Sequence, residues 1–420
     1  MGEAGKVSLR SRIVVTGLGL VTPLGIGKDE FAQNLFSGVS AIDKITSFET
    51  SSLPSQLAAE VRGFSPRDFI SAKNLRRMDK ISRMAVAASR MALDDAGIAV
   101  TMQNRDRIGI LLGSAFGATD ITIALAQTLL AQGASSVNPI LVPNTVMNAP
   151  AGHASIELGF RGVNTTVTHY GVSAENAICY AVSEIRRGAA DVMLAGGVDI
   201  VSKFQYEALA RFRGLSPADE GPEGARPFDR ERNGYVVGEG CGLVCLETLE
   251  AALARGARIY CEITGIGLGS SPLAPTAWPD STDGIKRTLG RALQNASLAP
   301  ADISAIMAAA NGSRMLDDTE ARAYEEMFYA DGHAPLVTSI KGATGESFSG
   351  GGIRACALAL SMDMNCLPPV VGLLWPLTEL NFVMNESTKT TMGHAVLSGI
   401  SFGGTYACLV CTDCNTKEEL

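Results

Sequence analysis

The stretch from Asn164 to Asp199, NTTVTHYGVSAENAICYAVSEIRRGAADVMLAGGVD, has the form of a nucleophile site. Thr165 to Thr168 is short and β-branched, the chemistry of a strand, and it runs through His169 and Tyr170 into Gly171. A helical pattern follows at once. Ala174, Ala177, Ile178, Ala181, Val182 and Ile185 recur at helical spacing, with Ser173 placed to cap and Glu175 in the first turn. Arg186 and Arg187 suit a last turn, and Gly188 its close. Asp191 to Ala195 then reads as a second buried strand. A sharp strand-to-helix turn presents one side chain at a helix N-terminus, where the dipole favours a thiolate or alkoxide. Here that residue is glycine. The frame of a nucleophile site is present and the nucleophile is absent.

No neighbour replaces it. Cys179 falls two helical turns further on, on the apolar face, and Ser173 is the expected cap. Nine cysteines is an odd count, and Cys245, Cys261, Cys356 and Cys408 lie in apolar runs. They read as small buried hydrophobes rather than a disulfide framework. Cys411 and Cys414 form a lone CxxC at the end of the last strand, without the second pair or nearby histidine that a zinc site needs.

The elements that must hold such a turn are legible along the chain. At 420 residues, with 46% apolar and 19% charged residues, two large units or one duplicated unit are expected. The 45 glycines imply many tight turns and close backbone contacts. A net charge of −8, from 35 basic and 43 acidic residues, disfavours nucleic acid as a partner. No apolar run reaches membrane-spanning length, and MGEAGKVSLRSR lacks a signal-peptide core, so a cytoplasmic protein without a membrane span is expected.

Arg12 to Thr16 predicts a buried strand, followed by GLGLVTPLG at Gly17 to Gly25. That stretch lacks a third glycine at the spacing of a dinucleotide-binding turn and has Pro23 where the helix should begin. Asn74 to Ala96 predicts one long amphipathic helix with a basic start: Lys73, Arg76, Arg77, Lys80 and Arg83. This is either a solvated face or a docking surface for an acidic partner. In the second half a strand at Ile303 to Ala309 precedes a loop at Asn311 to Asp318 and a helix at Thr319 to Tyr329. KGATGESFSGGG then leads to an apolar helix, Ile353 to Met364, and strands at His394 to Ile400 and Thr405 to Thr412 close the chain. Each half, residues 1–256 and 257–420, alternates strand and helix, ends in a strand pair and carries a glycine-flanked turn into an apolar helix. This is the pattern of a duplicated α/β unit with both sheet faces covered.

The segments RRMDKISRMAVAASRMALDDAGI, ADVMLAGGVD, ARPFDRERNGYVVGEG, TSIKGATG and SFGG occur in this order, within a match running from IVVTGLGLVTPLG to SFGGTYACLV. In them the chain resembles the β-ketoacyl synthase (ketosynthase) family. The resemblance implies a thiolase-like duplicated αβαβα sandwich, with two similar halves, mixed five-stranded sheets and helices on both faces. Active members carry the acyl chain on a cysteine at the turn and use two histidines to decarboxylate malonyl-carrier protein and stabilise the enolate or oxyanion. On this chain the cysteine falls on Gly171, the first histidine on Asn311 in NGS and the second on Glu346 in TGE. Lys341 of that motif and Phe402 of the glycine turn are retained. Glycine cannot be acylated, asparagine cannot exchange a proton near neutral pH, and Glu346 places a negative charge where an enolate would develop.

The resemblance therefore points to the chain-length-factor, or ketosynthase-β, subunits of type II polyketide systems, although those often carry glutamine at the cysteine position. It implies a heterodimer with an active ketosynthase that extends carrier-protein-bound polyketide or polyene chains. No cofactor of its own is implied, phosphopantetheine arriving on the acyl carrier protein. Thr145, Val146, Met147 and Asn148, with His169 and Tyr170, are expected at the dimer interface and the partner's tunnel; Lys73, Arg76, Arg77 and Lys80 are expected to dock the acidic carrier. Two other readings stay open: a divergent acyltransferase, cyclase or hydrolase of this fold using His169, Tyr170 or Glu346, and a homodimeric carrier-binding scaffold.

Overall fold

Helices cover both faces of the sheets, so the strands are near-continuous apolar runs rather than alternating ones. The computed structural model describes residues 11–329 and 332–414. Its main strands are β1 (Ile13–Thr22), β2 (Ile108–Gly113), β3 (Asn164–Val167), β4 (Val192–Asp199), β5 (Gly240–Thr248), β6 (Cys261–Ser270), β7 (Ala305–Met307), β8 (Leu336–Thr338), β9 (His394–Ser401) and β10 (Thr405–Thr412). They lie in the order β8-β7-β9-β10-β6-β1-β5-β4-β2-β3.

That order reads the same from either end. β3, β2 and β4 run parallel and are followed by antiparallel β5 and β1. β8, β7 and β9 run parallel and are followed by antiparallel β10 and β6. The two mixed five-stranded halves join where β1 pairs antiparallel with β6, Val14 opposite Glu262 and Val15 opposite Cys261. Helices fill three layers. α4 (Ser173–Arg186) and α7 (Gly351–Met364) pack on each other and on strands of both halves, and form the central layer. α1 (Lys80–Asp95) and α3 (Ala149–Leu158) cover the outer face of one half, and α5 (Asp283–Ala296) and α6 (Arg314–Tyr324) that of the other. α2 (Thr119–Gln132) lies outside these layers and buries none of its side chains. The architecture is the expected thiolase-like sandwich.

Three local expectations are corrected. The glycines of GLGLVTPLG do not end the first strand, because β1 continues through them to Thr22. A Cβ on Gly17 would lie 2.2 Å from the Ala92 carbonyl oxygen of α1, and one on Gly19 would lie 1.9 Å from that of Ala88, so these glycines let helix and strand touch. The long helix from Asn74 is two helices, Ala72–Leu75 and α1, because Asp79 caps the second by accepting the Ser82 N–H at 3.0 Å. Helix α6 begins at Arg314, five residues before Thr319, and widens into a π-turn at Glu325–Tyr329.

Candidate functional site

β3 leads through Thr168 and His169 into a single 3₁₀ turn, Tyr170–Val172, and then α4. Ser173 does not cap α4; it ties the turn instead, its hydroxyl accepting the His169 N–H at 2.9 Å and donating to the Tyr170 carbonyl at 2.7 Å. Tyr170 is held at φ 47°, a left-handed conformation costly for an aromatic residue. Gly171 sits at the head of α4, and its N–H donates to Ser401 Oγ at 3.0 Å. Cys179 is buried on α4, and burial pushes its thiol far above the ordinary cysteine range. It offers no thiolate.

The other two altered positions meet. Asn311 Nδ2 donates to Glu346 Oε2 at 2.6 Å, and Lys341 Nζ reaches the same oxygen at 2.6 Å. All three side chains are buried. The Glu346 charge that would repel an enolate is thus spent on Lys341 and Asn311, and the cluster satisfies itself. Removing one member of a buried pair strands the other, so Glu346→Ala is expected to lower stability by about 3–5 kcal/mol in chemical unfolding. A cavity of only about 20 Å³, bordered by Phe116, Glu346 and Phe348, remains beside the cluster. That is room for one water and not for a substrate carbonyl.

Aromatic rings fill the rest. Tyr170 lies 5.0 Å from Phe402, Phe402 lies 5.6 Å from Phe348, and Phe348 lies 5.2 Å from Phe116, centroid to centroid. Trp278 packs edge-on against Phe402 at 5.5 Å. An open cleft of about 430 Å³, lined by Phe212, Arg213, Tyr235, Trp278, Met315 and Phe402, borders these rings.

Beneath the site lie buried charges whose pairing the sequence reading did not reach. Glu175, in the first turn of α4, and Arg354, on α7, form a fully buried ion pair between the two central helices. Arg354 also donates to the carbonyls of Ala308 and Ser398. A Cβ on Gly351 would lie 2.1 Å from Glu175 Oε2, so glycine there makes room for the carboxylate. An acid at the buried start of α4 and a cation within the apolar stretch of α7 were the available signal. Asp317 is buried too and accepts the N–H groups of Phe228 at 2.8 Å and Asn311 at 3.0 Å. Burial raises its carboxyl to about 7, against these hydrogen bonds and Arg232. A carboxyl raised on folding contributes stability fully present below its unfolded value and lost as pH rises through 7. The stability of the chain relative to its Asp317→Asn variant is therefore expected to fall by up to about 4 kcal/mol between pH 4 and pH 8. Urea midpoints measured for both across that range check it.

The remaining expected residues lie on the surface. Tyr170 is 41% and Val146 52% exposed, while Met147 turns inward: a Cβ on Gly117 would lie 2.4 Å from its sulfur. Thr145 Oγ1 donates to the Val142 carbonyl at 2.9 Å, and Asn148 is exposed. His169 is exposed and pairs through Nδ1 with Asn176 Nδ2 at 2.6 Å. Lys73, Arg76 and Arg77 are exposed between the two helices. The Lys80 side chain is partly exposed, and its ammonium contacts both oxygens of the buried Glu239 carboxylate, at 2.6 and 2.7 Å. No Asp, Glu, Lys or Arg occurs from Ile121 to Ile156, yet Leu129, Leu130, Ile140, Val142, Val146 and Ile156 are all exposed. At the end of this uncharged span α3 packs on β3, the last strand of the sheet.

Among the described residues, no helix is long and apolar enough to cross a membrane. Residues 10–252 match the β-ketoacyl synthase N-terminal domain, and residues 260–373 match the β-ketoacyl synthase C-terminal domain. The chain is 33% identical to a Synechocystis protein named 3-oxoacyl-[acyl-carrier-protein] synthase 2, over 94% of this chain and 96% of that one. A Coxiella burnetii protein of the same name is 32% identical over 96% and 98%. Among solved structures, the ishigamide ketosynthase/chain length factor superposes with TM-score 0.88 at 31% identity, covering 96% of this chain and 99% of that one. A β-ketoacyl synthase from Burkholderia phymatum superposes with TM-score 0.87 at 28% identity, covering 96% and 100%. With its paired five-stranded halves and its elbow before α4, this chain belongs to the β-ketoacyl synthase family.

Proposed function

We propose that this chain is a non-catalytic ketosynthase-like subunit, a chain length factor, that works as a heterodimer with an active ketosynthase. The pair extends acyl chains on an acyl carrier protein, which brings the phosphopantetheine, and this chain needs no cofactor of its own. The observation that carries the reading is the closed site: Gly171 offers no nucleophile, and Asn311 and Lys341 both donate to Glu346. The related synthases at 33% identity are named as enzymes, so overall similarity does not separate the two roles; the altered residues at these positions support the non-catalytic one. The likeness to the ishigamide ketosynthase/chain length factor supports the reading. The uncharged face beside β3 supplies a surface for the partner.

The test is co-expression with ketosynthases that carry the complete cysteine and histidine set. A stable complex by size exclusion is expected, with condensation depending on the partner's cysteine. Condensation by this chain alone, or stoichiometric acylation of it by acyl-carrier protein in intact-mass spectra, would sink the proposal. Gly171→Cys should not restore condensation, because Asn311 and Glu346 remain. Within the complex, Val146→Trp is expected to shorten the product by about one two-carbon unit. Met147→Ala should change product length less, since its side chain packs on Gly117.

A further inference from the structure

The missing thiol is not the only change at the elbow. A backbone N–H at the head of a helix is the kind of donor that holds a developing oxyanion in acyl transfer, provided it is free to point at the reacting oxygen. In this chain it is taken. Ser401, the buried last residue of β9, accepts the Gly171 N–H at 3.0 Å and donates its own proton to the Phe402 carbonyl at 2.9 Å. The hydroxyl is thereby fixed at both ends. A Cβ at position 171 would be tight but not blocked, lying 3.3 Å from Ser401 Oγ and 3.5 Å from the Ile400 carbonyl oxygen, so it asks Ser401 to give by a few tenths of an ångström.

We infer that Ser401 acts as an internal ligand of the elbow, a positioning residue that occupies the amide donor and keeps the turn unable to stabilise an acyl-transfer oxyanion even where a nucleophile is supplied. The inference concerns the elbow itself and stands independently of any partner subunit.

Two chemistries applied to a Gly171→Cys variant separate the donor from the thiol. Alkylation by iodoacetamide forms a sulfur–carbon bond with loss of iodide and needs no oxyanion donor, so its rate reports thiol access and ionisation. Transfer from an acyl N-acetylcysteamine thioester needs one. The cysteine thiolate attacks the carbonyl carbon, and the π pair moves to oxygen. The intermediate then collapses to the new thioester as N-acetylcysteamine thiolate leaves and takes a proton from water.

In the Gly171→Cys background, adding Ser401→Gly or Ser401→Ala is expected to raise the ratio of thioester transfer to alkylation by about 10- to 100-fold, the scale of one oxyanion donor. On the natural chain, Ser401→Ala alone is expected to speed hydrogen exchange of the Gly171 amide about 10-fold or more, a readout that needs no cysteine variant to fold. An unchanged ratio, or an unchanged Gly171 exchange rate, overturns the inference. If Gly171→Cys does not fold, the exchange measurement decides by itself.

Discussion

Arg354→Met is expected to lower the folding stability of this chain by about 3–5 kcal/mol, because it leaves the Glu175 carboxyl in the core without its partner. Neither residue is more than 2% exposed, so no water re-solvates the survivor. Burial already pushes the Glu175 carboxyl upward against the pull of Arg354, and losing the arginine removes the main opposing influence. Glu175→Gln should cost a similar amount by stranding Arg354. The double variant Glu175→Met/Arg354→Met should recover most of the loss, since two apolar side chains of similar length replace a pair whose desolvation its attraction barely offsets. Urea midpoints of the four proteins close the cycle. A single variant within about 1 kcal/mol of the natural chain would mean that the pair is not ionised as a unit. Gly351→Ala offers an independent check, since its methyl group would meet the Glu175 carboxylate.

Thr166→Pro is expected to abolish partner binding, raising the dissociation constant by roughly 100-fold or more while leaving the fold intact. Ser114 donates to the Val167 carbonyl at 3.1 Å and Ile110 donates to that of Val163 at 2.7 Å, so Val163 and Val167 turn their backbones toward β2. Alternation then turns the Thr166 N–H and C=O to the open edge. Proline there removes a donor that a partner strand would use but none that holds β3 to β2, which is why an edge tolerates it. Val146→Asp should weaken binding too, by burying a charge in the uncharged face. Size exclusion of the co-expressed pair reads both, with the far-ultraviolet spectrum of the isolated chain as the folding control. Undiminished complex formation by Thr166→Pro would place the interface away from this edge.

The two cases differ in how far the sequence alone could reach. Periodicity in each half set the alternation of strand and helix, and glycine at position 171 settled that no nucleophile stands at the turn. Those are local facts, carried by residue type and spacing. Local spacing misled where a distant neighbour decided. GLGLVTPLG has turn composition, but its glycines answer to the backbone of α1 some seventy residues on, and the strand runs through them. The basic run from Lys73 to Lys80 looked like one helical face until Asp79 capped a new helix and Glu239 claimed Lys80.

Composition could have shown the uncharged span from Ile121 to Ile156, but its exposure beside the open edge of β3 is a property of the folded sheet. The sequence by itself determined which reactive groups are missing. Only the tertiary structure decided what occupies their places: Ser401 on the Gly171 amide, Lys341 and Asn311 on Glu346, and Arg354 on Glu175. The Ser401–Gly171 and Arg354–Glu175 contacts join the two halves, and Asn311 reaches Glu346 across 35 residues. Burial forces such polar groups to find partners, and sequence does not record who is near whom.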